Sequence, residues 1–364
     1  MVTAHFTTPP PKGMIYAPMD VAVNICQGLK KRGHKVTFFA PEGSKIKGVN
    51  LKTLKLKPLK QSEKWIEKIK GQGADIAKLE NLWDQYLLSH MFKGAIKGEY
   101  DILHIHPIDR ALSFALAWQK IPVIYTMHDP LNRWRINIYR MFQSKNQHFV
   151  SISNAQRKPA PDLNYAATIY NGIDLDKFPF ADKPKDYFVF VSNLREKKGA
   201  VEAVAAARGA KVKLLIIGPE SSLTKSYWKK EIAPYLNNKI RYIGFVKRER
   251  LYKYYQNAKA VLVPIKWEEP FGLVMTEAMA CGCPVIAFRR GSVPEIVEHK
   301  KTGFIVKPFE KNKRPNIKGL VEAMKKIEQI KRINCRKRVE KKFSTDSMAK
   351  AYEKLFLKIA RKYA

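Results

Sequence analysis

The chain is poor in cysteine, in acidic residues and in long apolar runs. Its four cysteines, Cys26, Cys281, Cys283 and Cys335, form no CxxC pair and no spacing suited to zinc. Free thiols in a reducing, cytoplasmic compartment are therefore expected. No window approaches 18 uninterrupted apolar residues, so no segment is expected to span a membrane. Residues 1–6 lack a basic region followed by a long apolar core, which reads as a first strand and not as a signal peptide. No Asp-x-Asp motif sits at a strand end in the first domain, so a bound divalent metal is not expected. Internal repeats and low-complexity segments are missing as well.

The shortage of acid leaves 68 lysines and arginines against 32 acidic residues, a net charge of +36. Such a charge draws any polyanion, from nucleotides to nucleic acid and anionic lipid. Lysine far outnumbers arginine, and the arginines are not read as interleaved with exposed aromatics. Specific nucleic-acid binding is therefore not expected. A general lysine bias and attraction to an anionic membrane surface are the readings that remain.

What is present suits two well-cored domains: 364 residues, 45% hydrophobic and 11% aromatic. In the first half, residues 2–6, 35–40, 101–105, 123–126, 149–152 and 168–170 read as short strands. A helix over residues 20–32 carries Val21, Ile25 and Leu29 at helical spacing and stops at Gly33. His104 and His106 close one strand, and His128-Asp129 follows another. In a parallel α/β sheet such carboxyl-end loops line the ligand crevice. A polar, proline-bearing linker over 182–186 separates this half from a second series of strands at 187–191, 212–217, 240–245, 260–265, 284–288 and 304–306. Alternating helices make that half a second doubly wound domain. The last helix carries one apolar stripe, Met348, Tyr352, Leu355, Phe356 and Ile359. Residues 51–98 are less regular: lysines from Lys52 to Lys70 surround Trp65, Ile66 and Ile69. A helix covering the first sheet is the favoured reading there, with a surface resting on an anionic bilayer as the alternative.

The most informative stretch runs from residue 260 to 288. An apolar, β-branched strand leads to a loop bearing Glu269, with Pro270 suited to the first turn of a helix. Gly272 allows close approach of a ligand, and a short helix from Leu273 to Ala280 is stopped by Gly282. The result is a βαβ unit whose helix N-terminus is open to an anion. Glu269 stands before that terminus and Glu277 nearly two turns beyond it. Amides for a phosphate and carboxylates for hydroxyls are what a phosphate-bearing sugar requires.

The run Glu-Pro-Phe-Gly-Leu-Val-x-x-Glu-Ala-Met-Ala-x-Gly-x-Pro-Val-Ile resembles the donor-site signature of glycosyltransferase family 4. Gly291-Ser292-Val293-Pro294-Glu295 and Thr302-Gly303-Phe304 extend the match, as do Gly33-His34-Lys35-Val36 and Asn171-Gly172-Ile173-Asp174 in the first half. The resemblance covers essentially the whole chain and is densest over residues 187–306. It implies the GT-B fold, two Rossmann-like parallel-sheet domains facing a central cleft. They would divide as 1–180, completed by the helix 345–364, and 181–344. It further implies a retaining, metal-independent transfer from a nucleotide-diphosphate sugar, with no other cofactor.

By the same resemblance Lys198 and the residue at Asn193 would touch the diphosphate. Asn193 departs from the usual arginine, and Arg195 is the candidate to supply the missing charge. Gly13 would approach the phosphates, although the usual paired glycines are absent. His128, in Thr126-Met127-His128, would meet the donor sugar or reacting centre, with His104 and His106 as weaker candidates. Glu269 would bind sugar hydroxyls and Glu277 the ribose. Gly244, Phe245 and Val246 would lie beside the base, and Phe271, Gly272 and Leu273 beside the diphosphate. The catalytic set is then His128, Lys198 and Glu269. The acceptor is left open: lipid-linked, glycan or small molecule. The departures at Asn193 and Gly13 also suit a rival, a non-catalytic sugar-nucleotide sensor or scaffold on the same fold.

Overall fold

The computed structural model describes residues 3–11, 16–219 and 224–363. It consists of two compact units. One comprises Met1–Ile152, Arg157–Gly172 and Thr345–Ala364; the other comprises Ser153–Gln156 and Ile173–Ser344. Among the described residues no helix is long and apolar enough to cross a membrane.

In the first unit β1 (Thr37–Phe39) and β2 (Asn50–Lys52) form a separate two-stranded parallel sheet. The main sheet is parallel, in the order β3 (Leu103–Ile105), β4 (Val123–Thr126), β5 (Gln147–Ser151), β6 (Tyr165–Thr168). The expected first strand over residues 2–6 is not a strand in its described part, from Thr3 onward. Its backbone finds other partners. The Ala4 N–H donates to the Asp84 carboxylate at 2.6 Å, the His5 N–H to the Thr3 hydroxyl, and Lys60 donates to the His5 carbonyl. A segment whose donors and acceptors are met this way needs no ladder.

Helices cover both faces of the main sheet, so its strands are apolar at successive positions. The helix Ala17–Lys31 lays Val21, Ile25 and Leu29 against Met348, Tyr352, Leu355 and Ile359 of the helix Thr345–Ala360, over Ile124 and Val150. Contact is close there: a Cβ on Gly28 would stand 2.4 Å from the Ala349 Cβ. The helix Ile76–Ile96 covers the opposite face through Leu87, Leu88, Met91 and Phe92. Each fully buried side chain of this kind contributes about 1.5–3 kcal/mol. The irregular region therefore does supply a covering helix, and it is this one. The shorter helix Glu63–Gly71 buries Ile69 and leaves Trp65 37% exposed.

The second unit holds six parallel strands: β7 (Phe188–Val191), β8 (Leu214–Ile217), β9 (Ile240–Gly244), β10 (Val261–Val263), β11 (Val285–Phe288) and β12 (Gly303–Val306). Their spatial order is β9-β8-β7-β10-β11-β12. The chain winds outward from β7 in one direction, then returns to β10 and winds outward in the other. All strands run the same way, so every carboxyl-end loop reaches one edge. Between β7 and β10 the connections diverge, and a crevice opens at that switch point.

Candidate functional site

The loop after β7 carries Lys198 and the loop after β10 carries Glu269, so the two flank the switch point. They meet there. The Lys198 Nζ donates to Glu269 Oε2 at 2.6 Å, and both side chains are more than four-fifths buried. The Trp267 Nε1–H donates to the same oxygen at 3.1 Å. Lys197 and Lys198 stand over the Trp267 ring, 3.9 and 4.7 Å from its centre. Both donors take Oε2, and Oε1 has no partner among the described residues. The carboxylate is thereby fixed at one oxygen and open at the other.

The two loops are locked to each other. Gly199 has φ +82°, and a Cβ there would fall 1.9 Å from the Pro264 carbonyl oxygen, so only glycine admits the approach. The Lys266 N–H also donates to the Lys197 carbonyl at 2.8 Å. On its far side Glu269 is seated by the loop after β11. The Ser292 N–H donates to its carbonyl at 3.0 Å, and a Cβ on Gly291 would lie 2.3 Å from that oxygen. Glu268 accepts from Arg290 at 2.9 Å and from the Gly291 N–H. The Gly291-Ser292 pair thus holds the Glu269 backbone in place.

The helix Leu273–Ala280 begins at Gly272, which is left-handed at φ +85°. Pro270 lies in the loop before it and not in its first turn, because the chain first turns inward to bury Phe271 against Phe343. The helix ends as expected: the N–H groups of Gly282 and Cys283 donate to the carbonyls of Met279 and Ala278. Its first amides have no partner within the helix, so they and its dipole face the crevice edge. Glu277 is 4% exposed, and its Oε1 accepts from Arg248 Nε at 2.9 Å and a second Arg248 nitrogen at 2.7 Å.

The remaining second-unit candidates spread along the same edge. Asn193 and Arg195 are exposed after β7, and the Arg195 side chain makes no hydrogen bond or ion pair with the described residues. Gly244 ends β9, followed by Phe245, 41% exposed, and Val246. Leu273 opens the helix. Gly13 lies outside the described residues.

In the first unit the three histidines converge. His106 Nδ1 and His128 Nε2 are 2.7 Å apart with stacked rings. His104 Nε2 meets the Thr126 hydroxyl at 2.8 Å, which in turn meets the Tyr352 hydroxyl at 2.7 Å. One proton serves the His106–His128 contact, so at least one of the two rings is neutral there. Burial pushes the His128 pKa down to about 3 and holds those of His104 and His106 well below the usual histidine value.

Reading the sequence missed Trp267 and Arg248. Trp267 stands two residues before Glu269, yet an aromatic in a loop carries no chemical signal of its own. Arg248 belongs to Lys247-Arg248-Glu249-Arg250, which resembles any solvated charge run. One Asp-x-Asp spacing does occur, at Asp174-Leu175-Asp176. It caps its own turn, with Asp174 accepting from the Asp176 N–H and pairing with Lys177. Among the described residues no group of three or more His, Cys, Asp or Glu could hold a metal ion.

Comparison with known proteins agrees with this geometry. The family pattern described as "Glycosyl transferases group 1" matches residues 173–342, and that described as "Glycosyltransferase Family 4" matches residues 20–177. An N-acetyl-alpha-D-glucosaminyl L-malate synthase from Bacillus anthracis is 25% identical over 77% of this chain and 80% of its own. Among solved structures, a sucrose-phosphate synthase from Thermosynechococcus elongatus superimposes with a TM-score of 0.70 at 19% identity, over 95% of this chain and 94% of that one. HepE from Anabaena, solved with UDP and glucose, gives 0.68 at 17%, over 95% and 97%. At these identities the structural likeness speaks to the fold, GT-B.

Proposed function

Because the chain belongs to glycosyltransferase family 4, we propose that it transfers a sugar from a nucleotide-diphosphate sugar to an acceptor hydroxyl, retaining anomeric configuration and using no metal. The observation that carries this reading is the Lys198–Glu269–Trp267 cluster across the β7/β10 switch point, before a helix N-terminus. In it the diphosphate lies at the amides of Gly272 and Leu273, with Lys198 drawn partly from Glu269 toward the phosphate oxygens. The open Oε1 of Glu269 accepts from sugar hydroxyls, and Glu277, steadied by Arg248, accepts from the ribose. Gly244, Phe245 and Val246 flank the base.

In the reaction the acceptor oxygen bonds to the anomeric carbon as the bond from that carbon to the diphosphate breaks. The hydroxyl proton passes to the departing diphosphate oxygen on the same face. Lys198 and the helix amides stabilise the negative charge that develops, an effect worth about a hundred- to a thousandfold per donor in comparable sites. Arg195, exposed and unpaired among the described residues, is available to supply the charge that Asn193 lacks. No cofactor beyond the sugar nucleotide is required.

A panel of nucleotide sugars, screened by thermal shift and then by release of nucleoside diphosphate in EDTA, tests the reading. A ligand at 100 times its dissociation constant should stabilise by about 2.7 kcal/mol, and at least one member should be turned over with metal chelated. Binding without turnover would identify a sensor. Turnover lost in EDTA and restored by magnesium or manganese would overturn the metal-free mechanism.

A further inference from the structure

We propose that the outward face of the helix Arg133–Phe142 docks on an anionic membrane surface. The helix has two apolar faces. Ile136 and Tyr139 face the core of the first unit. On the opposite side Trp134 is 75% exposed, Ile138 40% and Met141 74%. At about 100° per residue these three fall within a stripe roughly 60° wide, on the side that a surface helix ordinarily makes polar. Three large apolar side chains on one solvent face mark an interaction surface.

The charges around the stripe select the partner. Arg133 and Lys145 are exposed at its two ends, and their side chains make no ion pair with the described residues. Arg135 is held by Asp109 and Asp129 and Arg140 by Asp162, so the charges of those arginines are already met by carboxylates. Behind the face stands a chain of net charge +36, which draws it to anionic lipid over a Debye length. Indole and thioether groups then enter the headgroup region while the two free cations meet lipid phosphates.

Other occupants fit less well. Three residues are far fewer than the 20–30 a side of a stable protein interface. Arg133-Trp134-Arg135 does place an exposed aromatic between arginines, contrary to the reading of the sequence. But Ile138 and Met141 cannot stack on bases, and Arg135 and Arg140 are already engaged by Asp109, Asp129 and Asp162. The Glu63–Gly71 helix, the site considered from sequence, buries Ile69 and keeps only Trp65 half exposed beside its lysines. The face on Arg133–Phe142 also begins four residues after Asp129, at the carboxyl end of β4 where His128 stands. The docking itself does not depend on the reaction.

Flotation of the full chain with phosphatidylcholine vesicles, with and without about one-third phosphatidylglycerol, tests this at about 0.1 M and about 1 M salt, where the Debye length is about 10 and 3 Å. The wild type should bind the anionic vesicles and keep a measurable fraction bound at high salt, because insertion of apolar groups is not screened. Trp134→Ser/Ile138→Ser/Met141→Ser should reduce binding at least about tenfold and abolish the salt-resistant part. Its melting temperature should stay near the wild-type value, and single Trp134→Ser, the milder change, should fall between. Lys64→Gln/Lys68→Gln/Lys70→Gln should bind nearly as the wild type does. Equal vesicle binding by the apolar triple variant would overturn the proposal and leave only diffuse charge. So would intact vesicle binding with loss of self-association or of oligonucleotide binding, which would assign the face to a second copy or to nucleic acid.

Discussion

At the scale of single residues, the site turns on which oxygen of Glu269 is occupied. Lys198 and Trp267 both donate to Oε2, so in the proposed function Trp267 acts as a positioning residue for the carboxylate assigned to the sugar. Trp267→Phe keeps the ring beneath Lys197 and Lys198 but deletes the N–H. We expect transfer to fall roughly ten- to a hundredfold, since a hydrogen bond to a charged group is worth about 1.5–3 kcal/mol. Affinity for the free nucleoside diphosphate should change little. Initial rates and calorimetry on this one variant separate the two, and an unchanged rate would remove Trp267 from the account. Neither Trp267 nor Arg248 could be read from sequence, because Trp267 meets Lys197 and Lys198 across two loops and Arg248 meets Glu277 across two helices. Glu269, Glu277 and Lys198 were named through the resemblance to the family's donor-site signature, and the structure brings Lys198 and Glu269 together.

At the scale of elements, legibility followed the strength of local signals. The helix Leu273–Ala280 and β4 have the boundaries expected of them. Pro270 was misplaced because proline's preference for a first turn lost to the burial of Phe271. The segment 2–6 looked like a strand, yet a buried carboxylate 80 residues away took the Ala4 N–H and the Thr3 hydroxyl took that of His5. The histidine cluster is an element-scale device too, built from the ends of β3 and β4 and closed by Tyr352. Unfolded histidines take up protons near pH 6.5, whereas burial delays uptake in the folded chain, to about pH 3 for His128. The unfolded state therefore binds more protons in that window, and stability falls as pH drops from about 6.5 toward 3. Each of the three contributes a slope of up to about 1.4 kcal/mol per pH unit. Urea titrations between pH 7 and 5 should show His106→Asn with a shallower loss than the wild type. An unchanged slope would mean that His106 titrates alike in both states.

At the scale of the whole molecule, the doubly wound order β9-β8-β7-β10-β11-β12 is what turns separate motifs into one site. Strand alternation made two α/β units legible, but not which strand neighbours which, since parallel pairing leaves no mark in a single sequence. The same holds for charge. The total of +36 was plain, while the apolar stripe it surrounds emerged only when the helix Arg133–Phe142 showed which face it buries. The central claim is that the β7/β10 edge reads a sugar nucleotide in parts, with sugar at Glu269 and ribose at Glu277. Calorimetry of Glu269→Ala and Glu277→Ala with a nucleoside diphosphate and its sugar conjugate, beside initial rates, tests it directly. Glu269→Ala should hold the diphosphate nearly as the wild type does, yet transfer roughly ten- to a hundredfold more slowly. Glu277→Ala should weaken both ligands alike. Equal loss of free diphosphate binding in the two variants would contradict the assignment.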